Sequence, residues 1–139
     1  MQTRTGGATI SVVDVALRAG VVGLTLTTAS IHSALGGTLF TLNAVGYVVL
    51  AAAMVAPSRF FGEIRWLTRL ALIGDTATTI AGWYLMGPRY NVAYISKGVE
   101  LMLIALLIVE SYRNDGSPMQ VARRLMALGA RFVPRHGRA

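Results

Sequence analysis

The sequence predicts an all-α protein, an integral membrane four-helix bundle followed by a C-terminal amphipathic helix lying at the interface. Three observations predict it. The 139 residues are 54% hydrophobic and 14% charged, against about 25% charged in soluble domains. Four apolar runs approach the roughly 20 residues that a helix needs to cross a hydrocarbon core of about 30 Å. Breaks rich in Gly and Pro separate them: "LGG" at 35–37, "APSRFFGEIR" at 56–65 and "MGPRYN" at 86–91.

Taken in order, residues 1–13 form a short segment ahead of the first run. That run, 14–35, opens with Asp14 and Arg18 four residues apart, the spacing of a helical ion pair at the interface with Arg18 snorkelling outward. Its Ala19, Gly23 and Thr27 repeat every four residues, which suits close approach of another helix. A secretory signal ending near Ser30 is the weaker reading of the same run. In the second run, 38–56, Leu39, Asn43, Gly46, Tyr47 and Leu50 share a face. The third, 66–87, carries a small and polar stripe of Ala71, Gly74, Asp75, Thr78 and Gly82, the kind that faces helices rather than lipid. In the fourth, 92–112, Lys97, Glu100 and Ile104 share a face.

The bundle thus occupies 14–112, and 113–139 is a basic tail. Within the tail, 117–133 forms an amphipathic helix, with Pro118 suited to its first position. Val121, Ala122, Leu125, Met126, Gly129, Phe132 and Val133 gather on one face, while Arg123, Arg124, Arg131 and Arg135 favour the other. Such a helix lies on a membrane and binds anionic lipid headgroups through its arginines. A solvated tail and a docking element for a partner protein are the alternatives.

The net charge is +7. In a membrane protein this charge marks the cytoplasmic side rather than a nucleic-acid partner. Of the 13 basic residues all but Arg89 and Lys97 fall on one side of a four-span topology, which places both termini in the cytoplasm. Trp66 and Phe60 then mark the inner interface, and Trp83, Tyr84, Tyr90 and Tyr94 the outer one.

The candidate site is a polar cluster inside the bundle. At 1.5 Å per residue, Asn43, Asp75, Lys97 and Glu100 come out within about two helical turns of depth. An isolated charge at mid-bilayer costs about 2.5–3.5 kcal/mol on insertion scales. The residues are therefore expected to compensate one another. Lys97 sits between Glu100 and Asp75, with Asn43 and Tyr47 as hydrogen-bond partners, and one carboxyl keeps a proton. His32 is placed near the outer boundary as an interfacial residue; a role as ligand to a pigment or haem is the weaker reading. Glu110 and Arg113 read as interfacial charges.

Several functions are excluded. There is no cysteine, so disulfides and thiolate chemistry are absent. Two histidines do not make a zinc site, and no metal site is expected. No phosphate loop or nucleophile elbow occurs. No catalytic residue and no cofactor is named by the sequence.

The segments "IH…GGTLFTLNAVGY" at 31–47 and "GPRYNVAYISKGVE" at 87–100 carry a resemblance. Through His32, Leu39, Phe40, Asn43, Gly46, Tyr47, Tyr94, Lys97 and Glu100 the chain resembles a group of small, uncharacterised four-span bacterial membrane proteins. That group often has an acidic residue where Ser96 stands here. The resemblance implies the four-helix architecture and no activity. The expected location is the bacterial inner membrane.

Three functions compete. The first is a non-catalytic accessory or structural subunit of a larger membrane complex, whose partners are other membrane subunits or further copies of itself. The second is an oligomeric transporter, channel or proton conductor using Asn43, Asp75, Lys97 and Glu100. The third is a lipid- or quinone-binding protein using the same cluster.

Overall fold

A computed structural model describes residues 11–57 and 59–132, with the backbone alone at 131 and 132. It holds five helices, and the described residues contain no strand: α1 (Val12–Leu35), α2 (Thr38–Val55), α3 (Arg59–Met86), α4 (Asn91–Asn114) and α5 (Pro118–Phe132). Each boundary has a local cause. Ser11 caps α1 by accepting the amide of Val13 at 3.3 Å, and Asp14 adds negative charge to the first turn. Gly36 and Gly37 both have positive φ, 70° and 85°. They turn the chain in a space where a residue with a Cβ would be strained. Pro57 follows the end of α2, Gly87 and Pro88 follow α3, and Pro118 starts α5.

The third helix differs from the sequence expectation in two ways. It starts at Arg59, so most of the stretch read as a break at 56–65 is helical. Nothing after Pro57 forbids helix, and the single Gly62 costs only about 1 kcal/mol. Further, three helices are long and apolar enough to span a membrane, α1, α2 and α4, and α3 is not among them. Arg65, Arg69, Asp75 and the run of threonines and glycines lower its hydropathy.

The first four helices close a ring. Helix α1 packs on α2 and α4, and α3 packs on the same two. Asp14 and Arg113 meet at 2.9 Å at one end and His32 and Glu100 at 3.8 Å towards the other, so α1 and α4 run antiparallel. Between the helices lies a core of Val21, Ala29, Tyr47, Met54, Leu72, Leu103 and Leu107. Long apolar side chains also face outward all round, among them Val12, Leu39, Val49, Leu85 and Leu101.

The close-approach stripes did not land where expected. On α1 the buried face is Val21, Thr25, Thr28, Ala29 and His32, whereas Ala19, Gly23 and Thr27 are exposed. On α3 the buried face is Thr68, Arg69, Leu72 and Thr76, whereas Ala71, Gly74 and Thr78 are exposed. A buried threonine is satisfied by its own helix. Thr25 and Thr76 each donate to the carbonyl four residues back at 2.7 Å, which satisfies the hydroxyl and leaves the methyl to pack. Leu39 is likewise 77% exposed, so only Tyr47 of the α2 face is fully buried.

Candidate functional site

The centre of the site is Glu100, whose side chain has no solvent exposure. Four hydrogen bonds converge on its carboxylate. Ser96 Oγ donates to Oε1 at 3.1 Å, and Lys97 Nζ to Oε1 and Oε2 at 2.7 and 2.6 Å. Thr79 Oγ1 of α3 lies 2.8 Å from Oε2. The threonine hydroxyl is also 2.8 Å from the Thr76 carbonyl, so its one proton serves either acceptor. A charged carboxylate can accept all four bonds, which is what makes its burial tolerable.

His32 is the residue that the sequence misplaced. It is buried, 3% exposed, instead of interfacial. Its Nδ1 lies 2.9 Å from the Thr28 carbonyl. A carbonyl only accepts, so Nδ1 carries a proton and Nε2 is left facing Glu100 Oε1 at 3.8 Å. The rings of Phe40 and Tyr47 flank it at 5.9 and 5.7 Å. Side-chain direction accounts for the error. Helical side chains lean toward their own N-terminus. In antiparallel α1 and α4, His32 and Glu100 therefore lean toward each other, and the axial gap between their backbones closes.

The expected partners of Lys97 separate into two groups. Glu100 is in place, and Tyr47 adjoins through Thr76, to which its hydroxyl donates at 3.3 Å. Asp75 makes no ion pair with Lys97; its Oδ2 is buried without a hydrogen bond, about 4.0 Å from where a Cβ on Gly46 would sit. It lies toward α2, one residue off the face that carries Thr76 and Thr79. Asn43 is half-buried and has no hydrogen-bond partner among the described residues. The lysine thus neutralises one carboxylate, through an i,i+3 contact on its own helix.

A second charged layer went unrecognised in the sequence. Glu110 is fully buried, not interfacial. It accepts from Arg69 Nη1 at 3.2 Å, and Arg18 Nε lies 3.5 Å away. Arg69 itself is 3% exposed and grips Asp115 with two nitrogens, its Nε–Oδ2 contact being 2.8 Å. Arg18 therefore does not pair with Asp14, whose partner is Arg113 on α4. The signal was present. Glu100, Leu103, Leu107 and Glu110 fall at helical spacing on one face, so a buried Glu100 implies a buried Glu110.

At the opposite end Trp83 meets the ring of Tyr94 edge-on at 5.3 Å, and the Arg89 guanidinium lies 4.5 Å from the Trp83 ring centroid. Arg89 is so tied to the Trp83 ring. On α5, Arg123 and Arg124 are exposed. The side chain of Arg131 and the whole of Arg135 lie outside the described residues. No group of three or more His, Cys, Asp or Glu side chains arranged to hold a metal occurs among the described residues. Compared with family models, curated proteins and solved structures, the chain matches none.

Proposed function

We propose that the chain is a four-span membrane protein of the bacterial inner membrane, with both termini cytoplasmic. In this reading it is a non-catalytic accessory or structural subunit of a larger membrane complex. The carrying observation is the occupation of Glu100: Ser96 donates to one oxygen, Lys97 donates to both and supplies the counter-charge, and Thr79 of α3 shares its proton between Oε2 and the Thr76 carbonyl. A carboxylate so occupied is a latch between α3 and α4. The fourth span is α3, whose Arg69 enters the bundle only because Glu110 and Asp115 neutralise it. On its own α3 is too polar to cross; in contact with α4 the charge of Arg69 is compensated.

One observation favours a second reading, a proton-binding membrane protein. His32 Nε2 stands 3.8 Å from Glu100 with its other nitrogen fixed, and Asp75 Oδ2 is buried without a partner. Protonatable groups from three helices then lie close together at depth. Reconstitution in liposomes with a pH-sensitive dye inside separates the two. The structural reading expects proton flux equal to that of empty liposomes under a 100 mV potential of either sign, about 2.3 kcal/mol per charge. A flux lost in His32→Ala or Glu100→Gln would overturn it in favour of the second.

A further inference from the structure

At the end that carries α5 lie two adjoining cavities of opposite character. One, about 270 Å³, is polar and is lined by Arg18, Arg65, Arg69 and Arg124 with Glu63 and Asp115. The other, about 300 Å³, is apolar and is lined by Leu70, Ile73, Ile108, Tyr112, Val121 and Leu125. Asp115 borders both, and so does α5: Arg124 faces the polar cavity, while Val121 and Leu125 face the apolar one.

The polar cavity holds cations in excess. Asp115 is taken by Arg69, and Glu110 below is shared by Arg69 and Arg18. Glu63 stands exposed. Arg65 and Arg124 have no ion-pair partner among the described residues. Arg65 Nε is buried with no hydrogen bond, while Arg65 Nη2 donates to the Ala56 carbonyl at 3.4 Å and Arg18 Nε faces Glu110 Oε1 at 3.5 Å. Arg18 and Arg69 also act on Arg65 as like charges. A buried guanidinium donor without an acceptor, on one of two cavity arginines that have no ion-pair partner among the described residues, calls for an anion, and the planar fork of arginine fits phosphate oxygens. The volume suits one phosphate group with a few waters, each of about 30 Å³. Trp66, on the wall, is the residue type found at headgroup level.

We propose that this end of the protein holds one anionic phospholipid, its phosphate among Arg18, Arg65 and Arg124 and an acyl chain in the groove under α5. The adjoining apolar groove is what selects a lipid over a free phosphate. The proposal rests on the membrane placement above and goes beyond it, because a built cavity binds one lipid where a charged surface attracts many.

The test uses the full chain in a neutral detergent. Phosphatidylglycerol, phosphatidylcholine and inorganic phosphate are titrated, with retained lipid read by native mass spectrometry and stabilisation read by thermal unfolding. Phosphatidylglycerol is expected to be retained as a single adduct in preference to phosphatidylcholine. Arg124→Gln, at an exposed position, should weaken it about fivefold, and Arg65→Gln with Arg124→Gln roughly 25-fold. Arg123→Gln, outside the cavity, should change nothing. Ala122→Phe, which narrows the groove, should weaken lipid retention without touching the arginines. Equal losses in Arg123→Gln and Arg124→Gln, or equal retention of the two lipids, would overturn the proposal. Binding of inorganic phosphate that Arg124→Gln weakens and Ala122→Phe does not would overturn the lipid assignment in favour of a soluble phosphate. Recovery of the chain in the soluble fraction without detergent would instead refute the membrane placement. Phosphate titration reads the cavity separately.

Discussion

Among the described residues, Lys97 is the one lysine or arginine within 4.0 Å of Glu100, and replacing it by Met removes that cation. The ammonium lies 2.6 and 2.7 Å from the two oxygens, and the lysine side chain is 11% exposed. Breaking a buried pair costs about 3–5 kcal/mol. Two hydroxyl donors remain near Glu100, so the low end applies, about 3 kcal/mol. At a few degrees per kcal/mol for a chain of this size, the midpoint should fall by about 10 °C. Glu100→Gln alone should cost less, about 2 kcal/mol, because the lysine has a short route to solvent. The double mutant decides the matter. If the two residues act as a pair, it should lose about 3 kcal/mol rather than the summed 5, a coupling of about 2 kcal/mol. Thermal unfolding in detergent of wild type, both singles and the double supplies the four numbers. A harmless Lys97→Met would refute burial of the ammonium, and additive losses would refute the pairing.

Two further outcomes follow from the same geometry. Arg69→Met leaves Glu110 and Asp115 without their shared cation and should destabilise by about 3–5 kcal/mol; Arg113→Met breaks an ion pair whose side chains are 43% and 28% exposed and should cost under about 1 kcal/mol, so equal midpoints for the two variants would be contrary evidence. Single cysteines introduced near Met1 and Ala139 should resist a membrane-impermeant maleimide in intact cells and react after lysis; labelling of either one before lysis would refute cytoplasmic termini.

Much of the fold was legible in the chain because its punctuation is chemical. Gly36 and Gly37, Pro57, Gly87 with Pro88, and Pro118 each mark a helix boundary for a backbone reason that needs no tertiary context. The helix faces were less legible. Stripes of small and polar residues on α1 and α3 were read as facing neighbouring helices, yet Ala19, Gly23, Thr27, Ala71, Gly74 and Thr78 are exposed, Asp75 and Gly82 are half-buried, and Thr25, Thr28, Thr68 and Thr76 turn inward. The small-residue rule assumes that backbones must approach closely. Here the interior is filled instead by Tyr47, Met54, Leu72, Leu103 and Leu107, which hold the helices apart and leave room for Arg69, His32 and Glu100.

The charged residues show where reading one helix at a time stops working. Depth along a helix axis placed Lys97 with Glu100, because both lie on α4 and their spacing is fixed. It misjudged His32, Arg18 and Glu110, whose partners lie on other helices. For those, depth must be corrected by the lean of the side chain toward its helix N-terminus, a shift of opposite sign in antiparallel neighbours. Applied to α1 and α4, the correction brings His32 toward Glu100. The same reasoning explains why the two ends of the molecule differ. Near His32 the short side chains of Ser96 and Thr79 complete the carboxylate. At the α5 end long arginines do so, and the cavity beside them is lined by Arg18, Arg65, Arg69 and Arg124.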